Sequence, residues 1–138
     1  VGTKRNEYQT RDFWVDPSLV EIFCKHFDGN QVHLPGNSNE IMPKDTVPGL
    51  MIVSMAARAV LEVPEFNEIL CATGTTIKNL RPVLRGQHCF VSGSYEDSPH
   101  KSRAGIIRRK NHCQIICRET LEIVVEYEMI QLLRDVGR

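Results

Sequence analysis

A chain of 138 residues carrying 17 Lys plus Arg against 17 Asp plus Glu has no formal net charge, which removes the electrostatic case for nucleic acid as a partner. The length suits one domain with a single core, residues 1–138, and no apolar run reaches the roughly 20 residues a membrane-spanning helix needs, so stable membrane insertion is not expected. Five cysteines (Cys24, Cys71, Cys89, Cys113 and Cys117) are odd in number and lack the paired spacing of a zinc site, so they read as small buried side chains of a cytoplasmic protein, with no metal.

A short strand using Tyr8, Phe13 and Trp14 is expected first. A helix then starts at Asp16-Pro17, where the carboxylate caps backbone N–H groups and proline supplies the torsion of a first helical residue. Leu19, Val20, Phe23, Cys24 and Phe27 form its apolar stripe, and Asp28-Gly29-Asn30 favours its end. Residues 34–47 are rich in Pro, Gly and Asn and predict a connector. From Gly49 to Val63, between Pro48 and Pro64, the run GLMIVSMAARAVLEV predicts a long, largely buried helix. Leu50, Met51, Val53, Ser54, Ala57, Val60 and Leu61 are assigned to its inner face, and Ser54, Ala56, Ala57 and Ala59 leave room for a closely packed sheet.

The period then changes from helical to alternating. Strands are predicted over about 69–79, 86–95, 104–117 and 121–133, the last from Glu122, Glu126 and Glu128 set against Ile123, Val125, Tyr127 and Met129. Glu96-Asp97-Ser98-Pro99-His100 predicts a solvent-facing turn, and Arg118-Glu119-Thr120 a hairpin connection. The expected fold is α+β: one long central helix wrapped by a strongly curved antiparallel sheet of about five strands.

Two titratable groups stand out in FDGNQVHLPGN, residues 27–37. Asp28 and His33 are by themselves more simply a helix cap and a surface imidazole. Together they also have the composition of an acid–base device, since histidine titrates near neutrality and burial tunes a carboxylate. The other histidines, His26, His88, His100 and His112, sit in no ligand pattern. Arg108-Arg109-Lys110 reads as a solvated strand face or a contact for a coenzyme phosphate, and Arg81 and Arg85 pose the same choice around a turn. There is no P-loop, dinucleotide fingerprint or nucleophile elbow.

The order of these segments resembles the MaoC-like dehydratase and R-specific enoyl-CoA hydratase family of the hotdog fold. The resemblance rests on D-x-N-x-x-H at Asp28, Asn30 and His33, on a glycine opening the central helix in VPGLMIVSMA, and on Pro82, Val83 and Gly86 in LRPVLRGQHCFV. It spans about residues 12–133 and departs from the family motif at Phe27, Gln31 and Pro48, where Gly, Pro and His are usual. It implies Asp28 and His33 as the catalytic pair, Gly49 as the backbone donor to a thioester oxygen, and Asn30 and Ser54 in support. It further implies reversible hydration of trans-2-enoyl thioesters with no required cofactor, coenzyme A or phosphopantetheine arriving as part of the substrate. An acyl-CoA or an acyl-carrier protein would deliver that substrate to a homodimer joined at sheet edges. Met51 and Met55 are candidates to shape the acyl tunnel. Two alternatives stay open: a hotdog thioesterase drawing on Glu40 or Asp45, and a non-catalytic acyl-binding or assembly module.

Overall fold

The computed structural model describes residues 6–27, 33–34 and 36–137. Asp16 opens the first helix as its chemistry requires: Oδ1 accepts the backbone N–H of Ser18 at 2.9 Å and its hydroxyl at 2.7 Å. This helix, α1, is Pro17–Phe27, and it buries only Val20 and Cys24, a narrower stripe than its composition suggests. Leu19 and Phe27, assigned to the stripe, are exposed. The second helix, α2, is Gly49–Leu61, followed by a 3-10 turn at Pro64–Phe66.

Six strands form one sheet: β1 Asn6–Gln9, β2 Phe13–Trp14, β3 Ile69–Asn79, β4 His88–Pro99, β5 Ile106–Cys117 and β6 Ile123–Arg134. Their order is β1-β4-β5-β6-β3, with β2 also paired to β4, and every pairing is antiparallel. The expected five-stranded, strongly curved wrap around one helix is therefore not what forms. The sheet has six strands and two helices accompany it; it is open, with β1 at one edge and β3 at the other. The extra strand arises because the N-terminal extended segment is interrupted. Thr10 turns both its N–H and its hydroxyl oxygen to Val91, so β1 and β2 pair with β4 as separate pieces. Alternation reports which face of a strand is wet; it carries no information about sheet curvature or closure.

The long strands place every second side chain inward. Cys89, Val91 and Tyr95 of β4 are buried, as are Cys113, Ile115 and Cys117 of β5 and Val125 and Tyr127 of β6. Against them lie Met51, Ile52, Val53, Ala56, Ala59 and Val60 of α2. This face is rotated from the expected one: Leu50 and Ser54 are exposed, while Ile52, Ala56 and Ala59 face the core. GLMIVSMAARAVL is apolar nearly all round, so its period cannot fix which side is buried. At Gly93 the missing side chain makes room for Tyr8, whose Cε1 would stand 2.7 Å from a β-carbon there. The tyrosine hydroxyl reaches Asn111 Oδ1 at 2.7 Å, and its ring meets Phe66 edge-on.

Strand β4 runs on to Pro99, through most of the segment expected as a turn at Glu96–His100. The extension is held by Arg109, which is buried despite its place in a basic run. Its Nε and Nη2 donate to Asp97 Oδ1 and Oδ2 at 2.7 and 2.9 Å, Nη1 donates to the Glu65 carbonyl, and its guanidinium lies 3.8 Å from the Tyr95 ring centroid. The group is a structural clamp joining β4, β5 and the 3-10 turn. Asp97→Ala should leave that cation buried without its carboxylate and lower stability by about 3 kcal/mol. The double variant Asp97→Ala/Arg109→Met should recover much of the loss in urea denaturation, whereas additive losses would exclude an unpaired-charge penalty.

Candidate active site

Two short stretches, residues 45–47 and 83–85, lie side by side and carry the site. Val47 N–H donates to the Val83 carbonyl at 2.8 Å, Arg85 N–H donates to the Asp45 carbonyl at 3.0 Å, and Thr46 and Leu84 form an isolated antiparallel bridge. Gly86, at φ +85°, turns the chain immediately afterwards and donates its N–H to Val15. A side chain would be strained at that torsion, a physical reason for glycine in the Pro-Val-x-x-Gly sequence. The motif thus fixes a ladder on which neighbouring groups can be placed.

His33 is held by both stretches. Its Nδ1 lies 2.9 Å from the Thr46 carbonyl oxygen, and its own carbonyl accepts Arg85 Nη2 at 2.6 Å. A carbonyl only accepts, so Nδ1 must carry a proton, and in the neutral ring the lone pair belongs to Nε2. Burial of His33 and Thr46 keeps water from competing for that bond. The local structure therefore selects a tautomer with a proton-accepting Nε2.

Gly49 is the first residue of α2. Pro48 precedes it in an extended conformation, makes no side-chain cap, and gives its carbonyl to the N–H groups of Met51 and Ile52. The amides of Gly49 and Leu50 are first-turn donors with no intrahelical acceptor, at the positive end of the helix. His33 and Gly49 line the same cavity, of about 220 Å³, together with Val47, Asn79, Arg81 and Val125. No described Asp or Glu lines it.

Asp28 and Asn30 lie outside the described residues. Ser54 is exposed, and its hydroxyl donates to the Leu50 carbonyl at 2.8 Å within α2. Neither Ser54, Met51, Met55, Glu40 nor Asp45 lines the His33–Gly49 cavity. Arg81 reaches Glu122 at 2.8 Å, whereas Arg85 turns inward to His33. Sequence reading left Arg85 undecided and missed Thr46 and Asn79, because their contacts join segments distant along the chain. Four of the cysteines are buried, and desolvation, with Cys117 nearby, pushes the Cys89 thiol up to about 12. Burial also raises Cys113, so neither is poised as a thiolate nucleophile. Among the described residues no group of three or more His, Cys, Asp or Glu is arranged to hold a metal ion, and no helix is long and apolar enough to cross a membrane.

No protein-family profile and no curated protein sequence matches the chain. Solved structures do. A MaoC-like dehydratase from Rhodospirillum rubrum superposes with a TM-score of 0.84 at 15% identity, covering 96% of this chain and 93% of that one. The unliganded R-hydratase PhaJ1 from Pseudomonas aeruginosa gives 0.66 at 17%, covering 96% and 81%. The C-terminally truncated HadBC complex, a 3R-hydroxyacyl-ACP dehydratase from Mycobacterium tuberculosis, gives 0.67 at 13%, covering 96% and 98%. The chain has the hotdog fold, in the form shared by these MaoC-like dehydratases and hydratases.

Arg85→Met tests the grip on His33, since it keeps most of the side-chain stem and removes the charged donor. The variant should lose about 2 kcal/mol of stability. The two imidazole nitrogens of His33, read by ¹⁵N NMR, should shift toward a mixture of tautomers. Wild-type shifts in a folded variant would assign the orientation to the Thr46 carbonyl alone.

Proposed function

We propose that this protein catalyses the reversible hydration of trans-2-enoyl thioesters, and in reverse the dehydration of R-3-hydroxyacyl thioesters. The observation that carries the reading is that a tautomer-selected His33 and Gly49, the first residue of a helix without a side-chain cap, line one small cavity. Water addition to an enoyl thioester develops negative charge on the carbonyl oxygen. A donor aimed at that oxygen lowers the barrier because its interaction strengthens as charge builds. Gly49 N–H supplies such a donor.

Asp28, five residues before His33, supplies the carboxylate that activates water for attack at C3. His33 orients the same water and relays the proton to C2. The water oxygen bonds to C3, the pair takes one proton from it, and one proton is returned to C2, so the sum is addition of H and OH across the double bond. Asn30, between the two in sequence, is assigned a supporting role. No step needs a metal or redox cofactor; coenzyme A or phosphopantetheine belongs to the substrate. Of the carboxylates that the thioesterase alternative would draw on, neither Glu40 nor Asp45 lines the cavity.

The edge strand β3 supports a paired assembly. This edge strand pairs with β6 on one side and is exposed from Leu70 to Thr76, with Leu70 itself 45% accessible. An edge this long presents unused backbone donors and acceptors, which a second copy would satisfy in a continuous sheet. We assign the protein to homodimers of this kind. The HadBC complex and the R-hydratase PhaJ1, with which the chain shares its fold, bear names that suit the same substrate chemistry.

Short and medium trans-2-enoyl-CoA thioesters should lose conjugated-alkene absorbance on addition of the protein, without release of free thiol. Thiol release would point to hydrolysis, and no turnover by folded, acyl-binding protein would point to a binding module. Asp28→Asn and His33→Ala should each lower the rate roughly 10²–10⁴-fold while leaving acyl binding and folding near wild type. Full turnover in either folded variant would remove that residue from the pair.

A further inference from the structure

We infer that the Asn79 carboxamide is the second hydrogen-bond donor to the thioester oxygen, acting beside the Gly49 amide. This assignment rests on the hydration reading above and names a residue for it. Asn79 is the last residue of β3 and stands opposite Val125 of β6, so its backbone is carried by the sheet. The next two amides, Leu80 and Arg81, both donate to the Val124 carbonyl, at 2.9 and 3.1 Å, and fix the chain as it leaves the strand.

The side chain lies against the start of α2. A β-carbon at Gly49 would stand 2.8 Å from Asn79 Nδ2 and 2.9 Å from its Cγ, and still nearer to Oδ1. Glycine at position 49 thus does more than open a helix: it makes room for the Asn79 carboxamide beside the first residue of α2. Both groups line the cavity that His33 also lines. The carboxamide oxygen and nitrogen are exchanged by a half-turn, and the orientation with Nδ2 toward the bound carbonyl is the one that serves an oxyanion.

One N–H satisfies one lone pair of an enolate-like oxygen, and a second donor from another direction holds the oxygen in place and shares its charge. Asparagine suits this role because it donates without titrating, so it does not compete with the Asp28–His33 pair for protons. An aspartate in its place would set a carboxylate against the developing charge.

The test compares Asn79→Ser and Asn79→Asp with the wild-type protein, using trans-2-enoyl-CoA turnover and binding of a matched pair of non-reacting ligands. These are a saturated acyl-CoA thioester and the thioether that lacks its carbonyl. Asn79→Ser should lower kcat about 10²-fold with little change in KM, and Asn79→Asp should lower it further. Wild-type protein should bind the thioester more tightly than the thioether, and Asn79→Ser should reduce that preference. A residue that only packs against Gly49 would weaken both ligands equally. Wild-type kcat in both variants, or a thioester preference unchanged by substitution or missing from the wild type, would overturn the assignment. If the wild-type protein hydrates no enoyl thioester, the reaction proposed above fails, while the ligand comparison still decides whether Asn79 contacts a carbonyl.

Discussion

The hydrogen bond between His33 Nδ1 and the Thr46 carbonyl determines what the site can do. It places a proton on Nδ1, since a carbonyl cannot donate in return, and so makes Nε2 the acceptor of the neutral ring. The bond in turn depends on where Thr46 is held, and that is set by the backbone ladder between residues 45–47 and 83–85. Asp45 adopts a left-handed torsion, φ 65°, immediately before Thr46. An isolated loop would rarely keep that conformation; here the Asp45 carbonyl is tied to Arg85 N–H and the Thr46 hydroxyl to the Pro43 carbonyl. The same Arg85 returns through its side chain to the carbonyl of His33, so one residue fixes both sides of the contact.

Helix α2 separates two kinds of chemistry. Gly49, at its first residue, lines the cavity. Beyond its last residue, Leu61, the chain enters the 3-10 turn that contributes Phe66 and the Glu65 carbonyl to the Arg109 clamp. Thirteen residues at about 1.5 Å each place these ends roughly 20 Å apart. The far end is closed by a bidentate ion pair, edge-on ring contacts and the Tyr8–Asn111 hydrogen bond, all of which favour rigidity. The near end keeps donors available. A concentration of stabilising polar contacts at one end of the helix allows the other to remain incompletely capped.

Much of this was readable from local pattern. The four long strands fall within about four residues of their expected ends because Glu126 and Glu128 alternate with Val125 and Tyr127, and comparable alternation marks β5. Asp16-Pro17 predicts its helix start because cap chemistry is local. The rotated face of α2 was not readable, since a helix apolar on most sides gives no preferred direction; only the sheet chooses between Ser54 and Ala56. Arg109 resisted for the opposite reason. Its neighbours Arg108 and Lys110 suggest a wet face, but strand geometry turns alternate residues to opposite sides, and Asp97 waits across the ladder. His33 and Gly49 could be proposed from ordered motifs, whereas their contacts to Thr46, Arg85 and Asn79 required the folded chain.

Pro48 illustrates how a departure from a family motif can be compatible with the chemistry that motif suggests. A serine, threonine, aspartate or asparagine at this N-cap would bond to an amide of the first turn and stabilise the helix by about 1 kcal/mol. Proline has neither a side-chain acceptor nor an N–H, and its torsion of φ −57° and ψ 133° leads directly into α2. The helix therefore begins without a competing side-chain cap for its first-turn donors. The missing stabilisation is offset by Met51, Ile52 and Val53, all buried within the next turn. Apolar burial fixes the helix start from one side, and the unused amides define its polarity on the other. In the proposed reaction the thioester oxygen would meet these donors where the helix start supplies no side-chain acceptor of its own.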